Sequence, residues 1–191
     1  MRGSFFFRLI CMSPVLMATA CSMYINAPKI EASNADPSFA GEIKSLTILS
    51  TVADPARGPG FSESLSRGYQ EAAARCNVTA TVFQAGDAVP QNTDRGAAQA
   101  DAVLGVLRTS VLTQTTVGQG WQSPPIPVLA TYQATLAQRA SRREIWKAEL
   151  KVAYPYGAGP RAAEAGDVAD VLFRRLAQDG ILRNCSFPPK R

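Results

Sequence analysis

The chain has 191 residues, of which 46% are hydrophobic and 18% charged, a composition that suits one globular domain with a packed core. Its net charge is +5, but the basic residues are scattered, so the concentrated basic surface that nucleic-acid binding requires is missing. The sequence contains no histidine. Serine or cysteine catalysis with a histidine base, and histidine-based zinc sites, are therefore excluded for this chain alone.

The first twenty residues have the organisation of an export signal. Arg2 and Arg8 supply a positively charged start, and an apolar stretch of about twelve residues follows, interrupted by Ser13 and Pro14. A membrane-spanning helix needs about twenty apolar residues, so this stretch is too short to span. Once Arg2 and Arg8 are removed, 18 basic and 15 acidic residues remain, which gives a net charge of +3.

The four residues that end at Cys21 are Ala-Thr-Ala-Cys. They resemble the lipobox of bacterial lipoprotein signals, in which Leu usually stands three positions before the cysteine. The resemblance implies that residues 1–20 are cleaved off and that Cys21 carries the lipid. Ser22 then implies sorting to the outer membrane, on its periplasmic face. An ordinary signal, cut near Ala20 or Ala27, is the alternative.

Two of the four cysteines, Cys11 and Cys21, belong to the signal and its lipid site. Cys76 and Cys185 remain in the exported part. In an oxidising compartment, two remaining cysteines favour a disulfide bond, with two separately buried thiols as the alternative. No Cys-x-x-Cys pair occurs, which argues against thiol redox chemistry as the function.

Residues 21–44 show no sustained periodicity and are interpreted as a lipidated amino terminus and tether. A single periplasmic domain is expected at 45–191. It begins with a predicted strand at 45–52, an amphipathic helix at 61–76 and a second strand at 78–83. The buried stripe of the predicted helix consists of Phe61, Leu65, Tyr69, Ala72 and Cys76.

The second half of the domain is dominated by predicted strands at 100–117, 128–138 and 144–154. The last alternates most regularly, with Trp146 and Leu150 on one face and lysines on the other, which predicts one covered and one solvent-facing side. The predicted closing elements are a helix at 161–179, capped by Gly180, and a short edge strand at 181–185. The order β-α-β-β-β-β-α predicts an α+β fold, in which a mixed or antiparallel sheet of about five strands carries two helices on one face.

Three stretches carry a resemblance to known proteins: the helix "FSESLSRGYQEAA", the strand–turn–strand "ATLAQRASRREIWKAEL" and the final helix "AGDVADVLFRRLAQDGIL". They resemble periplasm-facing bacterial lipoproteins with a TolB amino-terminal-like domain, the group of LpoB, PelC and CsgG. The resemblance implies a small tethered domain that binds or assembles another envelope component without chemistry of its own. Lipoproteins of lipopolysaccharide assembly and of lipid-transport ABC systems have a similar element order and remain alternatives.

Three residues are candidates for partner contact. Trp121 lies in the Gly-rich connection 118–127, where no core periodicity requires it, so it is a candidate anchor for a partner or a membrane. A place in a small satellite core is the alternative. Arg142 and Arg143 lie at the tip of a predicted hairpin and are candidates for contact with an anionic surface, with a solvated turn as the alternative. Trp146 is predicted to be a core residue.

The acidic residues show no paired spacing of the kind that glycoside hydrolysis requires. We therefore expect no enzymatic activity, no metal and no cofactor. The sequence predicts an outer-membrane lipoprotein that acts as a non-catalytic accessory or assembly factor. Its expected partners are a cell-envelope protein or further copies of itself, and the membrane through its lipid. A binding module for a lipid, lipopolysaccharide or glycan is the alternative.

Overall fold

A computed structural model describes residues 27–52, 59–84, 100–114, 117–118, 121–122, 126–153 and 162–189. Their helices and strands are β1 (Lys29–Ala35), β2 (Ser45–Ser50), α1 (Pro59–Ala74), β3 (Thr79–Gln84), β4 (Ala102–Gln114), β5 (Val117–Gly118), β6 (Trp121–Gln122), β7 (Ile126–Gln138), β8 (Glu144–Ala153) and α2 (Ala162–Gln178). Six strands form one sheet in the order β1-β8-β7-β4-β2-β3, and β5 and β6 pair separately.

The sheet is mixed. β2 runs parallel to both of its neighbours, β3 and β4, whereas β4, β7, β8 and β1 are successively antiparallel. Together with two helices this is the α+β architecture that the sequence predicts. The parallel strands β2 and β3 are joined through α1, as a crossover connection requires.

The core lies between the helices and one face of the sheet. Alternate residues along the strands point to the same face, so the inward positions form one continuous apolar layer. Each large side chain in such a layer contributes roughly 1.5–3 kcal/mol to folding. The buried inward residues of the sheet are Leu46, Ile48, Ala102, Leu104, Val106, Ala130, Tyr132, Ala134, Leu136, Trp146, Ala148, Leu150 and Val152.

Helix α1 buries the stripe predicted from its periodicity, and each of those five residues is 5% exposed or less. The turn that follows α1 closes at Asn77, which has a φ of 56° and so supplies the left-handed cap that asparagine tolerates. The two helices approach closely, since a Cβ placed on Gly68 would lie 3.1 Å from the Cα of Gly166. At this spacing the two helices pack side by side and together cover one face of the sheet.

One prediction about the amino-terminal part is wrong. The sequence assigns residues 21–44 to a tether, but Lys29–Ala35 forms the edge strand β1, which pairs with β8 from Lys29↔Lys151 to Ala35↔Trp146. It is the sixth strand, beyond the five expected. A bulge between Ile30 and Ala32 shifts the alternation, and few residues of the strand are apolar, so its sequence shows no period of two.

The expected edge strand at 181–185 is also absent, while the predicted end of the last helix is confirmed. Gly180 has a φ of 77° and caps α2. The N–H groups of Ile181 and Leu182 then donate back to the Leu176 carbonyl, at 2.9 and 3.2 Å. Both side chains are buried. These hydrogen bonds fold the segment against the helix end, so the sheet gains no strand from it.

Candidate functional site

The open face of the sheet, opposite the helices, carries three exposed leucines. Leu49, Leu107 and Leu112 have 42%, 54% and 60% of their surface exposed. Leu49 pairs with Gly105, which has no side chain to cover it. We call these three residues the leucine surface. Large exposed apolar residues that share one face are typical of interaction sites.

The leucine surface extends along a projecting hairpin made of β4 and β7. The two strands pair from Ala102↔Gln138 to Gln114↔Ile126. β2 ends earlier, at Ser50 opposite Val106, and Thr51 makes the last contacts at that edge, with Thr51 N donating to Val106 O at 2.9 Å. Within the described residues, the end of β4 therefore pairs only with β7, and its side chains stand clear of the main sheet.

A bulge in β4 decides which side chains reach the open face. The register shifts between Arg108 and Ser110, so one extra residue lies in β4 at this point. Leu107 and Leu112 are five positions apart and would point to opposite faces of a regular strand. The shift puts them on the same face, and it turns Val111 to the helix side, opposite the buried Ala130.

Trp121 lies in the short strand β6 and pairs with Gly118 in β5, so its backbone belongs to the connection at the far end of the hairpin. Its side chain lies outside the described part of the chain. Its role as a contact residue stays a prediction. The same holds for Cys21, which lies outside the described residues together with the whole signal segment.

Arg143 makes intramolecular contacts at the protein surface. Its Nη2 lies 2.5 Å from Asp36 Oδ2 and donates to Ser38 Oγ at 2.9 Å, which joins the β7–β8 turn to the loop after β1. Hydrogen bonds from Ser38, and then the charge of Arg143, hold the pKa of Asp36 below its usual range. Arg142 has a φ of 54° and forms the exposed tip of the turn. Both arginines are exposed, and Arg143 is the one held by Asp36 and Ser38.

A disulfide bond joins Cys76, just after α1, to Cys185 in the carboxyl-terminal segment, as the sequence predicts. The same segment is held by Ser186 N, which donates to Arg75 O at 2.9 Å. It is also held by Arg174, whose Nη2 donates to Pro188 O at 2.6 Å. The carboxyl-terminal ends of both helices are therefore bound to one stretch of chain.

Asp179 joins three elements at the end of α2. Its Oδ2 accepts hydrogen bonds from Ser33 Oγ in β1 at 2.6 Å and from Trp146 Nε1 in β8 at 2.7 Å. Trp146 is 1% exposed, which confirms it as a core residue. Burial opposes ionisation of Asp179, but the hydrogen bonds from Ser33 and Trp146 and the charge of Arg175 hold its pKa below the usual value.

Asp101 has a similar structural role where β2 and β4 begin. Its carboxylate accepts hydrogen bonds from the N–H groups of Lys44 and Ser45, each at 2.9 Å. These bonds, that from Lys44 first, hold its pKa below the usual range. Among the described residues no group of three or more cysteine or acidic side chains could hold a metal ion. The acids with perturbed pKa values therefore hold strands and helices together.

The described residues also form two larger grooves that are open to solvent. One, of about 520 Å³, lies between the helices over Gly68 and Gly166 and is flanked by Glu71, Arg75 and Asp170. The other, of about 430 Å³, lies on the open face of the sheet. Its side-chain lining includes Ala32, Asn34, Thr109, Gln133, Lys147 and Glu149. Charged and polar side chains lie in both grooves beside apolar ones, and in each groove the apolar part of the lining is the larger.

Neither helix in the described part of the chain is long and apolar enough to cross a membrane. No family model matches the sequence, and no curated protein matches it. Some solved structures match the chain, with low identity and TM-scores below 0.5.

One similar structure is a PelC dodecamer from Paraburkholderia phytofirmans, at 13% identity and a TM-score of 0.46, covering 76% of this chain and 95% of that one. Another is a neuraminyllactose-binding hemagglutinin homolog from Helicobacter pylori, at 10% identity and a TM-score of 0.33, covering 71% and 82%. A third is a DUF330 protein from Xanthomonas campestris, at 12% identity and a TM-score of 0.32, covering 82% and 91%. At this level of similarity they do not assign a function to the chain.

Proposed function

We propose that this protein is an outer-membrane lipoprotein, anchored through Cys21 and facing the periplasm, that acts as a non-catalytic accessory factor for an envelope complex. The anchor is supported by the lipobox-like sequence before Cys21. The disulfide between Cys76 and Cys185 suits the oxidising periplasm. Two or three acyl chains would hold the domain stably at the membrane surface.

The leucine surface is the observation that carries the proposed function. Leu107 and Leu112 are more than half exposed and lie on a hairpin that projects from the sheet. Burying the part of each side chain that is still exposed would contribute roughly 1–2 kcal/mol per leucine. The described acids with lowered pKa values are already bonded to backbone and side-chain groups of the fold, which favours contact over catalysis as the task.

The binding role can be tested by photo-crosslinking in cells. A photoreactive amino acid is placed at position 107, at position 112 or, as a matched control on the other side of the same strand, at position 111. We expect the first two to give the same adduct with one envelope protein, identified by mass spectrometry, and position 111 to give much less. Equal adducts at all three positions, or none at any of them, would contradict the proposal.

The variant Leu107→Ser with Leu112→Ser should abolish co-purification of that envelope protein, while Val111→Ser should retain it. Protein abundance is measured in parallel, because a contact role predicts unchanged levels. The anchor is tested separately with labelled palmitate. Incorporation is expected in the wild type and not in Cys21→Ala, and equal labelling of both would remove the membrane part of the proposal.

The groove on the open face supports a second candidate function, binding of a glycan, because charged and amide side chains lie along it. Lys147, Glu149 and Asn34 offer hydrogen-bond donors and acceptors along a shallow surface. Soluble peptidoglycan fragments are a suitable probe. If the groove binds them, Lys147→Ala should weaken binding about tenfold, as expected for a lost hydrogen bond to a charged group. The control is Lys44→Ala, outside the groove.

A further inference from the structure

The two edges of the sheet differ in how well they are protected. Edge strands invite pairing with other chains, and proteins block this with charges, proline and bulges. β1 has such devices: Lys29 and Glu31 are charged, and a bulge follows Ile30. β3, with the sequence TATVFQ, has no charge, no proline and no glycine. Within the described residues, no strand lies beyond it.

The backbone of β3 shows which of its groups face outward. Thr79 N donates to Lys44 O at 2.9 Å, so the N–H and C=O of Thr79 point toward β2. Along a strand, the N–H and C=O groups of successive residues point alternately to one side and to the other. The parallel register runs without a shift from Ser45↔Thr79 to Ser50↔Gln84. Ala80 and Val82 therefore direct their N–H and C=O groups away from the sheet.

We propose that two copies of this chain pair through β3, antiparallel, about a two-fold axis at Thr81. In this register Ala80 of each copy exchanges two hydrogen bonds with Val82 of the other, and Thr81 faces Thr81 in the pair without hydrogen bonds. A second copy suits this edge because its own residues then meet in complementary pairs, Ala80 with Val82 and Thr79 with Phe83.

The register also matches the side chains. Pairing about an axis normal to the sheet keeps the helix-covered faces of both copies on the same side. Ala80 and Val82, which are only partly buried at the free edge, then pack against each other across the joint. On the open face, Thr79 of one copy lies opposite Phe83 of the other. A β-branched residue opposite an aromatic one stabilises the contact between neighbouring strands. Since β1 is protected, the pairing ends with two copies and does not continue into a fibre.

A cysteine on the axis tests the register directly. Cα atoms in the pair without hydrogen bonds lie about 4.5 Å apart, within the range that a disulfide bridges. Under mild oxidation in intact cells, Thr81→Cys in the full-length chain should give a covalent dimer on a non-reducing gel. Thr79→Cys lies on the same face of the same strand but opposite Phe83, so it should give little. Equal dimer from both variants, or none from Thr81→Cys, would overturn the proposal.

Charge on the axis gives an independent measurement. Thr81→Lys places two like charges opposite each other and should raise the dissociation constant of the detergent-solubilised full-length dimer at least tenfold, whereas Asn34→Lys, an exposed position in the other edge strand β1, should change it little. The mass is measured by light scattering and the fold by circular dichroism. A monomeric wild type, or an unchanged mass for a folded Thr81→Lys, would overturn the pairing. The leucine surface does not include β3, so its crosslinks are a separate test of the proposed function.

Discussion

The helix-covered face and the open face of the sheet are built from the same strands, yet their leucines differ sharply in exposure. In β4, Leu104 points to the helices and is fully buried, whereas Leu107 points away from them and is 54% exposed. The folded state gains the transfer of Leu104 from water to the core, but Leu107 stays largely hydrated. These side chains therefore stabilise the fold mainly through the helix-covered face.

Removing the disulfide bond at the helix ends should have the largest effect on the free energy of unfolding. Cys76→Ser with Cys185→Ser removes a bond that closes 109 positions of chain, for which the chain-entropy model gives up to about 4–5 kcal/mol of unfolding free energy. Urea unfolding with and without reductant measures the loss. Reductant should destabilise the wild type and leave the variant unchanged. A loss below about 1 kcal/mol would show that the helix ends are held by packing alone.

The leucines of β4 provide the direct comparison of the two faces. Leu104→Ala should lower the unfolding free energy by about 3 kcal/mol, since it leaves a cavity in the core. Leu107→Ala should change it by less than about 0.5 kcal/mol. Both are read from the same urea transition. Similar losses for the two variants would mean that the open face is covered and contributes to folding.

Loss of the Asp179 carboxylate should have an intermediate effect. Asp179→Asn keeps an acceptor for Ser33 or Trp146 but removes the charge, and should cost about 1–2 kcal/mol at neutral pH. Because the folded-state pKa is depressed, the wild-type contribution is present above the unfolded pKa of about 3.9 and is lost as the pH falls through the folded value. The variant should therefore lose less stability than the wild type between neutral pH and pH 2–3. Parallel acid profiles for both would exclude this role of Asp179.

The smallest effect is expected at the β7–β8 turn. Arg143 is 59% exposed, so solvent screens its ion pair with Asp36, which should contribute little to stability, and less still at high salt. Arg143→Ala is compared with Arg142→Ala, which removes the same charge from the exposed tip. A larger loss for Arg143→Ala than for Arg142→Ala is expected, and the reverse order would place the structural role on Arg142.

Periodicity made the elements next to the core predictable. The stripe of α1, the alternation in β8 and the cap at Gly180 all follow from local sequence, because each residue there contacts the core or solvent in a regular order. Two features had no such signal. β1 forms through pairing with β8 and through Ser33 on Asp179, both of which involve residues distant in sequence. The leucine surface depends on the bulge after Arg108, which reverses the alternation that a sequence reading assumes.

The placement of β1 has a mechanical consequence. The chain before Ala27 joins the domain through this strand, so any tension on it acts first on the contacts between β1 and β8. Tension along the strand loads the whole antiparallel ladder in shear, and tension across it opens the ladder one rung at a time, from Lys29 onward. Within the ladder, the hydrogen bond from Ser33 to Asp179 adds a contact with the end of α2, and beyond its last pair Asp36 N donates to Ile145 O. A domain pulled through β1 resists force best when the force acts along the direction of that strand.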